Sequence, residues 1–246
     1  MIRTILFFIF AFLFLITSPP LMLVEWIVGK INPGAKDRSS LAIVKFVFRV
    51  MLFISGTRIV VLGKEKVPTD TAVLYVGNHR SIFDVLVSYI QVPRPTGYVS
   101  KIEIKKIPFL RVWMRYLHCL FLDRKDIKQG LKTILTGVDM VKSGISVCIY
   151  PEGTRSKEKD VMLPFHDGSF KIAEKGDVPV IPITTLNSDE VFEAHMPRMK
   201  KATVVLSYGD PIYLKDLDKE TRKKPGAYVA GIIADTYAEL KKEYDL

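Results

Sequence analysis

The sequence predicts an α/β fold in which a central, mostly buried mixed sheet is flanked by helices and follows an N-terminal pair of membrane-embedded helices. Three observations lead to this prediction. Short β-branched runs alternate with helical patterns from residue 58 onward. The first 28 residues are apolar and carry charges only near their margins, at Arg3 and Glu25. The 246 residues suit one domain with a short appendage, which places the division between residues 1–57 and 58–246.

Runs rich in Val, Ile and Leu predict the strands. They lie at Ile59–Leu62, Ala72–Gly77, Leu120–Asp123, Ser146–Tyr150, Val178–Thr184 and Thr203–Tyr208. Helical spacing of apolar residues predicts a helix over Ile127–Val141 and a final helix that starts near Pro225. Strands that alternate with helices are typical of a single α/β domain whose sheet is covered by helices.

The apolar N-terminus predicts attachment to a membrane. Ile5–Val24 is a run of 20 uncharged residues, and a helix of that length spans about 30 Å, the thickness of a bilayer core. Pro19 and Pro20 interrupt this run. A signal peptide is disfavoured because no small-residue cleavage site follows.

A second apolar segment, Leu41–Ile54, carries Lys45 and Arg49 four residues apart on one helical face. Long basic side chains can reach headgroups while their stems stay in lipid. A polar, turn-forming loop is expected over residues 30–38. The resulting hypothesis is a two-helix hairpin embedded in one leaflet of the cell membrane, with the globular domain on the cytoplasmic face. The alternative is a single true span.

The net charge of +10 draws the chain to anionic surfaces. The apolar N-terminus favours anionic phospholipid as the partner. No nucleic-acid-binding signature is present, and no nucleic-acid partner is expected.

The first group of candidate functional residues follows the predicted strand that ends at Gly77. His79 and Asp84 are five residues apart, so on one continuous helix they would point away from each other. A contact between them requires His79 to lie in the turn before the helix. Ser81 and Asp84 also fit a capping box, which is a purely structural alternative.

The second group follows the predicted strand Ser146–Tyr150 and reads Glu152-Gly153-Thr154-Arg155. Gly153 allows close backbone approach, Thr154 offers a hydroxyl, and Arg155 can bind a phosphate with its planar fork. An exposed polar turn would explain the glycine, but not a glutamate and an arginine held beside a strand end.

Together these two groups resemble the glycerolipid acyltransferase family, and in particular its 1-acylglycerol-3-phosphate acyltransferase branch. The family's H-x-x-x-x-D and E-G-T-R blocks match His79–Asp84 and Glu152–Arg155. Weaker blocks match in the right order at Phe121–Arg124 and Val178–Pro182. One departure is Phe165-His166-Asp167-Gly168, where relatives commonly carry a basic residue before the glycine, and no role is assigned to His166.

The resemblance implies that His79 is the general base and that Asp84 fixes its tautomer and orientation. The expected reaction is acyl transfer from a thioester to the sn-2 hydroxyl of 1-acylglycerol 3-phosphate, which makes phosphatidic acid. The resemblance also implies a phosphate site for the acceptor lipid, formed by Glu152, Gly153, Arg155 and Arg124. The Thr154 hydroxyl is a further candidate, and so are Lys101 and Lys105, which belong to the basic stretch Lys101–Lys128.

The donor is expected to be a thioester of acyl carrier protein or of coenzyme A, with the choice between them open. No G-x-S-x-G elbow, P-loop or dinucleotide fingerprint occurs, so neither a covalent acyl-enzyme nor a further cofactor or metal is expected. Other acceptors, such as glycerol 3-phosphate or another lysophospholipid, remain alternatives. So do a lipid phosphatase or hydrolase and a non-catalytic lipid-binding protein.

Overall fold

The computed structural model describes residues 1–156, 158 and 160–246. The α-helices within these residues are α1 (Ile2–Thr17), α2 (Pro19–Ile31), α3 (Pro33–Ser55), α4 (Ile82–Tyr89), α5 (Leu110–Tyr116), α6 (Ile127–Lys142), α7 (Lys171–Gly176), α8 (Lys219–Lys223) and α9 (Pro225–Glu243). The strands are β1 (Arg58–Leu62), β2 (Leu74–Gly77), β3 (Thr96–Lys101), β4 (Leu120–Leu122), β5 (Ser146–Ile149), β6 (Val180–Leu186) and β7 (Thr203–Tyr208).

In the described part of the chain, these strands form one seven-stranded sheet in the order β1-β7-β6-β2-β5-β3-β4. Parallel pairing joins β6, β2, β5, β3 and β4. The β7 strand runs antiparallel to β6 and parallel to β1. The predicted mixed sheet is confirmed. Its five parallel strands place their carboxyl ends along a single edge, which we call the carboxyl edge.

Both faces of the sheet are covered, because successive side chains in a strand point to opposite sides. Tyr75 and Ile181 pack in the apolar cluster that includes helices α3 and α4. Leu74 and Val180 pack in a second cluster with residues of α6, α7 and α9. The central strands β2, β5 and β6 are buried along their whole length, which explains why their sequences are almost uninterrupted apolar runs.

The sequence prediction missed strand β3. Its residues, Thr-Gly-Tyr-Val-Ser-Lys, do not form a β-branched run. A Cβ atom at Gly97 would lie 2.2 Å from the carbonyl oxygen of His118, so only glycine fits there. The glycine that weakens the strand pattern in the sequence is thus required by the close approach of the backbone at His118, just before β4.

The N-terminal segment contains three helices, so the predicted two-helix hairpin is wrong in its helix count. Pro19 begins α2, and the predicted loop over residues 30–38 is mostly the first turns of α3. Asn32 caps α3 by accepting a hydrogen bond from the Ala35 N–H (3.0 Å), and Pro33 takes the first helical position. Proline is tolerated there because the N–H it lacks would have no partner within the helix.

Among the described residues, no single helix is both long and apolar enough to cross a bilayer. Helices α1 and α2 meet the criteria of length and hydropathy only as a pair, which is bent by 53°.

The three N-terminal helices share a core with the sheet. Trp113 of α5 donates its indole N–H to the Ser18 hydroxyl (3.0 Å), and the Thr4 hydroxyl accepts the backbone N–H of Met199 (2.9 Å). Phe7 and Phe83 lie in the same apolar cluster, with ring centroids 5.7 Å apart. The boundary predicted at residue 57 therefore separates helices from a sheet but does not separate two cores.

The outer surfaces of α1 and α2 expose large apolar side chains. They include Ile5, Phe8, Phe12, Leu13, Leu23 and Trp26. Contiguous exposed apolar surface of this kind marks a site of contact with lipid or with another apolar partner.

Leucines in buried and exposed positions predict a contrast in stability. We expect Leu74→Ala, at a fully buried position in β2, to lower the free energy of unfolding by about 2–5 kcal/mol, because it removes packed methyl groups and leaves a cavity. The same substitution at Leu131, which is 60% exposed on α6, is expected to change it by less than about 0.5 kcal/mol. Denaturant unfolding in detergent measures both, and equal losses would contradict the assignment of β2 to the core.

Candidate functional site

The carboxyl edge of the sheet collects the predicted site residues. His79 follows β2, Lys101 ends β3, Arg124 follows β4 and Glu152 follows β5. Residues separated by up to 73 positions in sequence thus lie along one edge of the sheet, where open α/β sheets usually bind their ligands.

Asn78 fixes the point where the chain leaves β2. Its side-chain amide donates to the carbonyl oxygen of Thr185 (2.9 Å) and accepts the N–H of the same residue (2.8 Å). The buried side chain therefore continues the β2–β6 hydrogen-bond ladder by one step. The next residue, His79, begins the turn that leads into α4.

His79 and Asp84 are in direct contact. The Nδ1 atom of His79 lies 2.9 Å from Oδ2 of Asp84, and His79 stands in the turn before α4, as the spacing required. The same carboxylate oxygen accepts the backbone N–H groups of Arg80 (2.7 Å) and Ser81 (2.8 Å). Three donors on one fully buried oxygen stabilise the ionised carboxylate and fix its direction.

The capping box predicted from Ser81 and Asp84 is also formed. The Ser81 hydroxyl accepts the N–H of Phe83 (3.0 Å), and Asp84 accepts the N–H of Ser81. The structural and the functional interpretation of Asp84 therefore hold together, because the cap holds the carboxylate at the position where it meets the imidazole.

The imidazole ring of His79 is positioned by a stacking contact as well as by the hydrogen bond at Nδ1. Its ring stacks on the buried ring of Tyr150, with centroids 4.4 Å apart and an interplanar angle of 18°. The side chain is 19% exposed. No described residue hydrogen-bonds to Nε2. With the proton on Nδ1 facing Asp84, Nε2 is the nitrogen available to accept a proton from a bound substrate.

Glu152 supports the backbone of this turn. Its two carboxylate oxygens accept the N–H of His79 (2.6 Å) and the N–H of Leu163 (2.8 Å). The carbonyl oxygen of His79 in turn accepts the N–H of Ser156 (3.1 Å). Burial raises the pKa of the Glu152 carboxyl above its ordinary value, while the two backbone donors act in the opposite direction. The predicted contact of Glu152 with phosphate stays a prediction.

The loop after β5 turns sharply at Gly153, whose φ of +70° favours glycine. A Cβ atom there would lie 3.9 Å from Nε of Arg124 and 3.6 Å from the His166 ring, so the loop after β4 meets the loop after β5. Partial burial lowers the pKa of the Arg124 guanidinium, and the negative charge of Glu103 opposes that shift. The structure thus brings Arg124 to Gly153, as the predicted phosphate site requires.

The remaining predicted residues of that site are exposed. Thr154 and Arg155 continue the loop after β5. Lys101 ends β3, paired in register with Leu122 of β4, and Lys105 lies in the short 3-10 helix that follows. Their side chains are accessible to a ligand at the carboxyl edge.

Two acidic residues of the β6–β7 connection also belong to the site, and the sequence analysis missed them. Asp189 pairs with the guanidinium of Arg80 (2.8 Å). Glu193 pairs with Arg155 (2.7 Å) and contacts the start of α4. They lie more than 100 residues beyond the turn that they contact, in a segment without a recognisable motif, so no local signal in the sequence identified them.

The two cysteines are poorly suited to nucleophilic catalysis. Burial raises the pKa of the Cys119 thiol to about 11 and that of Cys148, inside β5, further still. Thiols with such pKa values are protonated near neutral pH. Among the described residues, no cluster of His, Cys, Asp and Glu side chains could hold a metal ion.

An apolar groove lies between α1, α2 and α3. Its volume is about 610 Å³. Its walls are almost entirely hydrocarbon and aromatic, and include Phe10, Leu13, Phe14, Leu21, Ile43 and Phe46. Such a groove suits the hydrocarbon chain of a lipid better than a polar ligand.

Comparison with known proteins agrees with this geometry. The Acyltransferase family model matches residues 58–185. A 1-acyl-sn-glycerol-3-phosphate acyltransferase of Borreliella burgdorferi is 27% identical over 155 residues, which cover 63% of this chain and 62% of that protein. The enzyme of the same name from Salmonella typhimurium is 28% identical over 171 residues, which cover 69% of each chain. Several curated relatives, the Borreliella protein among them, are matched over less than two thirds of their own length.

The fold also matches a solved structure. The crystal structure of the 1-acyl-sn-glycerophosphate (LPA) acyltransferase PlsC from Thermotoga maritima superposes with a TM-score of 0.81, at 22% sequence identity. The match covers 98% of this chain and 96% of that chain, so it includes the N-terminal helices as well as the sheet. At this level of identity the match concerns the fold. Because the family model covers more than half of the sequence and includes both His79–Asp84 and Glu152–Arg155, this chain belongs to the Acyltransferase family.

Proposed function

We propose that this chain transfers a fatty acyl group from an acyl thioester to the sn-2 hydroxyl of 1-acylglycerol 3-phosphate and so makes phosphatidic acid. The observation that carries the proposal is the oriented His79–Asp84 pair on the same sheet edge as the arginines of the loops after β4 and β5. The names of the relatives support the same acceptor.

In the proposed mechanism His79 is the general base. Its Nε2 takes the proton of the lipid hydroxyl as the hydroxyl oxygen attacks the thioester carbonyl carbon. The tetrahedral intermediate then collapses, the carbon–sulfur bond breaks, and the thiolate recovers the proton from Nε2. Asp84 stabilises the imidazolium that exists between these two steps. A positioned base of this kind contributes about 10²–10⁴-fold in rate.

The acceptor's phosphate is proposed to bind beside Gly153. Arg124 and Arg155 supply fixed positive charge, Thr154 offers a hydroxyl, and the exposed Lys101 and Lys105 extend the basic surface. Glu152 is proposed to contribute to this site indirectly, because its buried carboxylate binds the backbone N–H of His79 in the catalytic turn.

The donor is proposed to be an acyl thioester of acyl carrier protein or coenzyme A. Both carriers are acidic, so the net charge of +10 suits either. A thioester is already activated towards attack, so the proposed reaction needs no further cofactor.

The lipid substrates suggest how the protein meets the membrane. We propose that the exposed apolar faces of α1 and α2 enter one leaflet of the cell membrane, with the sheet on the cytoplasmic side. The apolar groove between α1, α2 and α3 then lies at the depth of the lipid hydrocarbon. Both lipid substrates can approach the site without their chains crossing water.

The proposed mechanism predicts the loss of acceptor-dependent thiol release. We expect His79→Ala to lower the release of thiol from a long-chain acyl thioester in the presence of 1-acylglycerol 3-phosphate by about 10²–10⁴-fold. Asp84→Asn is expected to have a similar effect, since an amide can donate to Nδ1 and so leave the proton on Nε2. The thiol is measured colorimetrically, and thermal unfolding confirms that each variant is folded.

His118→Ala is the matched control. His118 pairs with Asp37 (2.9 Å) and precedes β4, at the opposite edge of the sheet. Its loss is expected to leave the rate within about twofold, since it lies far from the base. Equal thiol release without the acceptor would show that the protein is a hydrolase, and no release at all would favour a binding protein. An active His79→Ala would show that His79 is not the general base. If the protein is active with glycerol 3-phosphate but not with 1-acylglycerol 3-phosphate, glycerol 3-phosphate is the acceptor instead.

The role proposed for Glu152 predicts a loss of stability. We expect Glu152→Gln to lower the free energy of unfolding by about 1–3 kcal/mol, because an amide offers one oxygen acceptor where the carboxylate offers two, so one of the two partly buried N–H groups is left unsatisfied. Glu174→Gln, at a surface pair with Lys171, is expected to change it by less than about 0.5 kcal/mol. If chemical denaturation finds Glu152→Gln as stable as the parent, the carboxylate does not hold this turn.

The membrane arrangement predicts the accessibility of position 2. We expect a cysteine introduced by Ile2→Cys to react with a membrane-impermeant maleimide only after intact cells are permeabilised, because a helix pair in one leaflet keeps this end inside. The side chain at this position is 76% exposed in the structure, so the protein itself does not block the reagent. Labelling of intact cells would instead favour a true span.

A further inference from the structure

Glu193 joins the two groups of functional residues. It begins a short 3-10 helix, Glu193–His195, in the β6–β7 connection. Its Oε1 accepts the backbone N–H of Ile82 (2.9 Å) and an N–H of the Arg155 guanidinium (2.7 Å). Its Oε2 accepts the Ser81 hydroxyl (2.5 Å). One carboxylate therefore binds both the start of α4 and the arginine of the loop after β5.

The position of Glu193 is itself well defined. The preceding residue, Phe192, packs its ring against Phe8 of α1, with centroids 5.8 Å apart. On the other side, the backbone N–H of Lys200 donates to the carbonyl oxygen of Val191 (2.9 Å). The segment around Glu193 is thus held by helix α1 and by the β6–β7 connection itself, and the Glu193 side chain is only 18% exposed.

The guanidinium of Arg155 binds Glu193 through one nitrogen, and its other N–H groups remain accessible. Its side chain is half exposed, and Glu193 contacts it through Nη1. A guanidinium has five N–H groups in a planar fork, so the remaining donors can bind two oxygens of a phosphate while the bond to Glu193 persists. A long arginine side chain without such a partner would sample many rotamers and would lose more entropy on binding.

We propose that Glu193 is a positioning residue for the acceptor. It fixes Arg155 relative to the first turn of α4, which also carries Asp84 and follows His79. The phosphate bound by Arg155 then lies at a fixed distance from the imidazole that must reach the acceptor hydroxyl. This inference rests on the proposed function, and it assigns a role to a residue outside the sequence blocks that define the family resemblance.

The test is a double-mutant cycle of Glu193 with Arg155. Glu193→Gln keeps the size of the side chain and can still accept the Ile82 N–H, but it removes the negative charge that holds the guanidinium. With 1-acylglycerol 3-phosphate we expect kcat/KM to fall about tenfold, since charge-assisted bonds couple neighbours by about that much. On an Arg155→Ala background the same substitution is expected to have a much smaller effect, because the bond to Arg155 is already absent.

A second acceptor separates positioning from general damage. With 1-acylglycerol, which lacks the phosphate, Glu193→Gln is expected to lower the slow basal rate much less than it lowers kcat/KM with the phosphate-bearing acceptor, because only the contacts of Glu193 with the start of α4 then matter. Glu190→Gln is the matched control, because Glu190 belongs to the same connection and pairs with His195 (2.7 Å) instead of Arg155. We expect it to keep kcat/KM within about twofold of the parent for both acceptors.

Four results would overturn the inference. Equal losses with and without the phosphate would mean that Glu193 only supports the fold. Additive losses in the double variant would mean that it does not act through Arg155. A parent protein that shows no acceptor-dependent transfer would remove the proposed function and this inference with it, whereas an active parent with an unaffected Glu193→Gln would remove the inference alone.

Discussion

The hydrogen bonds to one oxygen of Asp84 hold the site together. Oδ2 accepts the Nδ1 proton of His79 and two successive backbone N–H groups, those of Arg80 and Ser81. These bonds begin helix α4 and set the direction of the imidazole at once. Because the carboxylate is fully buried, loss of any one donor leaves charge poorly compensated in a medium where that is costly. The turn after β2 therefore has little freedom to relax.

Other carboxylates extend this constraint to the neighbouring loops. Glu152 binds the backbone N–H of His79 from the loop after β5, and Asp189 and Glu193 bind Arg80 and the start of α4 from the loop after β6. A strongly basic protein thus holds its candidate catalytic turn with acidic side chains. The basic residues that are proposed to meet the substrate are left exposed around this turn.

The N-terminal helices belong to the same construction. Phe7 packs against Phe83 beside Asp84, and Phe8 packs against Phe192 beside Glu193. Helix α1 therefore packs against the elements that carry the site, and its opposite face presents an apolar surface to the outside. Removing α1 would expose the core that carries α4, so the helix is a part of the folded domain and not a detachable tether.

The sequence by itself determined the features that depend on neighbours along the chain. The apolar runs of β2, β5 and β6 and the capping pattern of Ser81 and Asp84 follow from spacing within a few residues. The contact of His79 with Asp84 was expected from the family resemblance, and the spacing added only the condition that His79 lie in the turn before α4. The tertiary structure alone decided the partners of Glu152 and Glu193, the strand order, and the presence of β3. These depend on contacts between residues far apart in the sequence, such as His79 with Glu152 and Ser81 with Glu193, which are 73 and 112 positions apart. A single sequence has no local signal for such contacts. The helix count also required the structure, since proline can begin a helix as well as interrupt one.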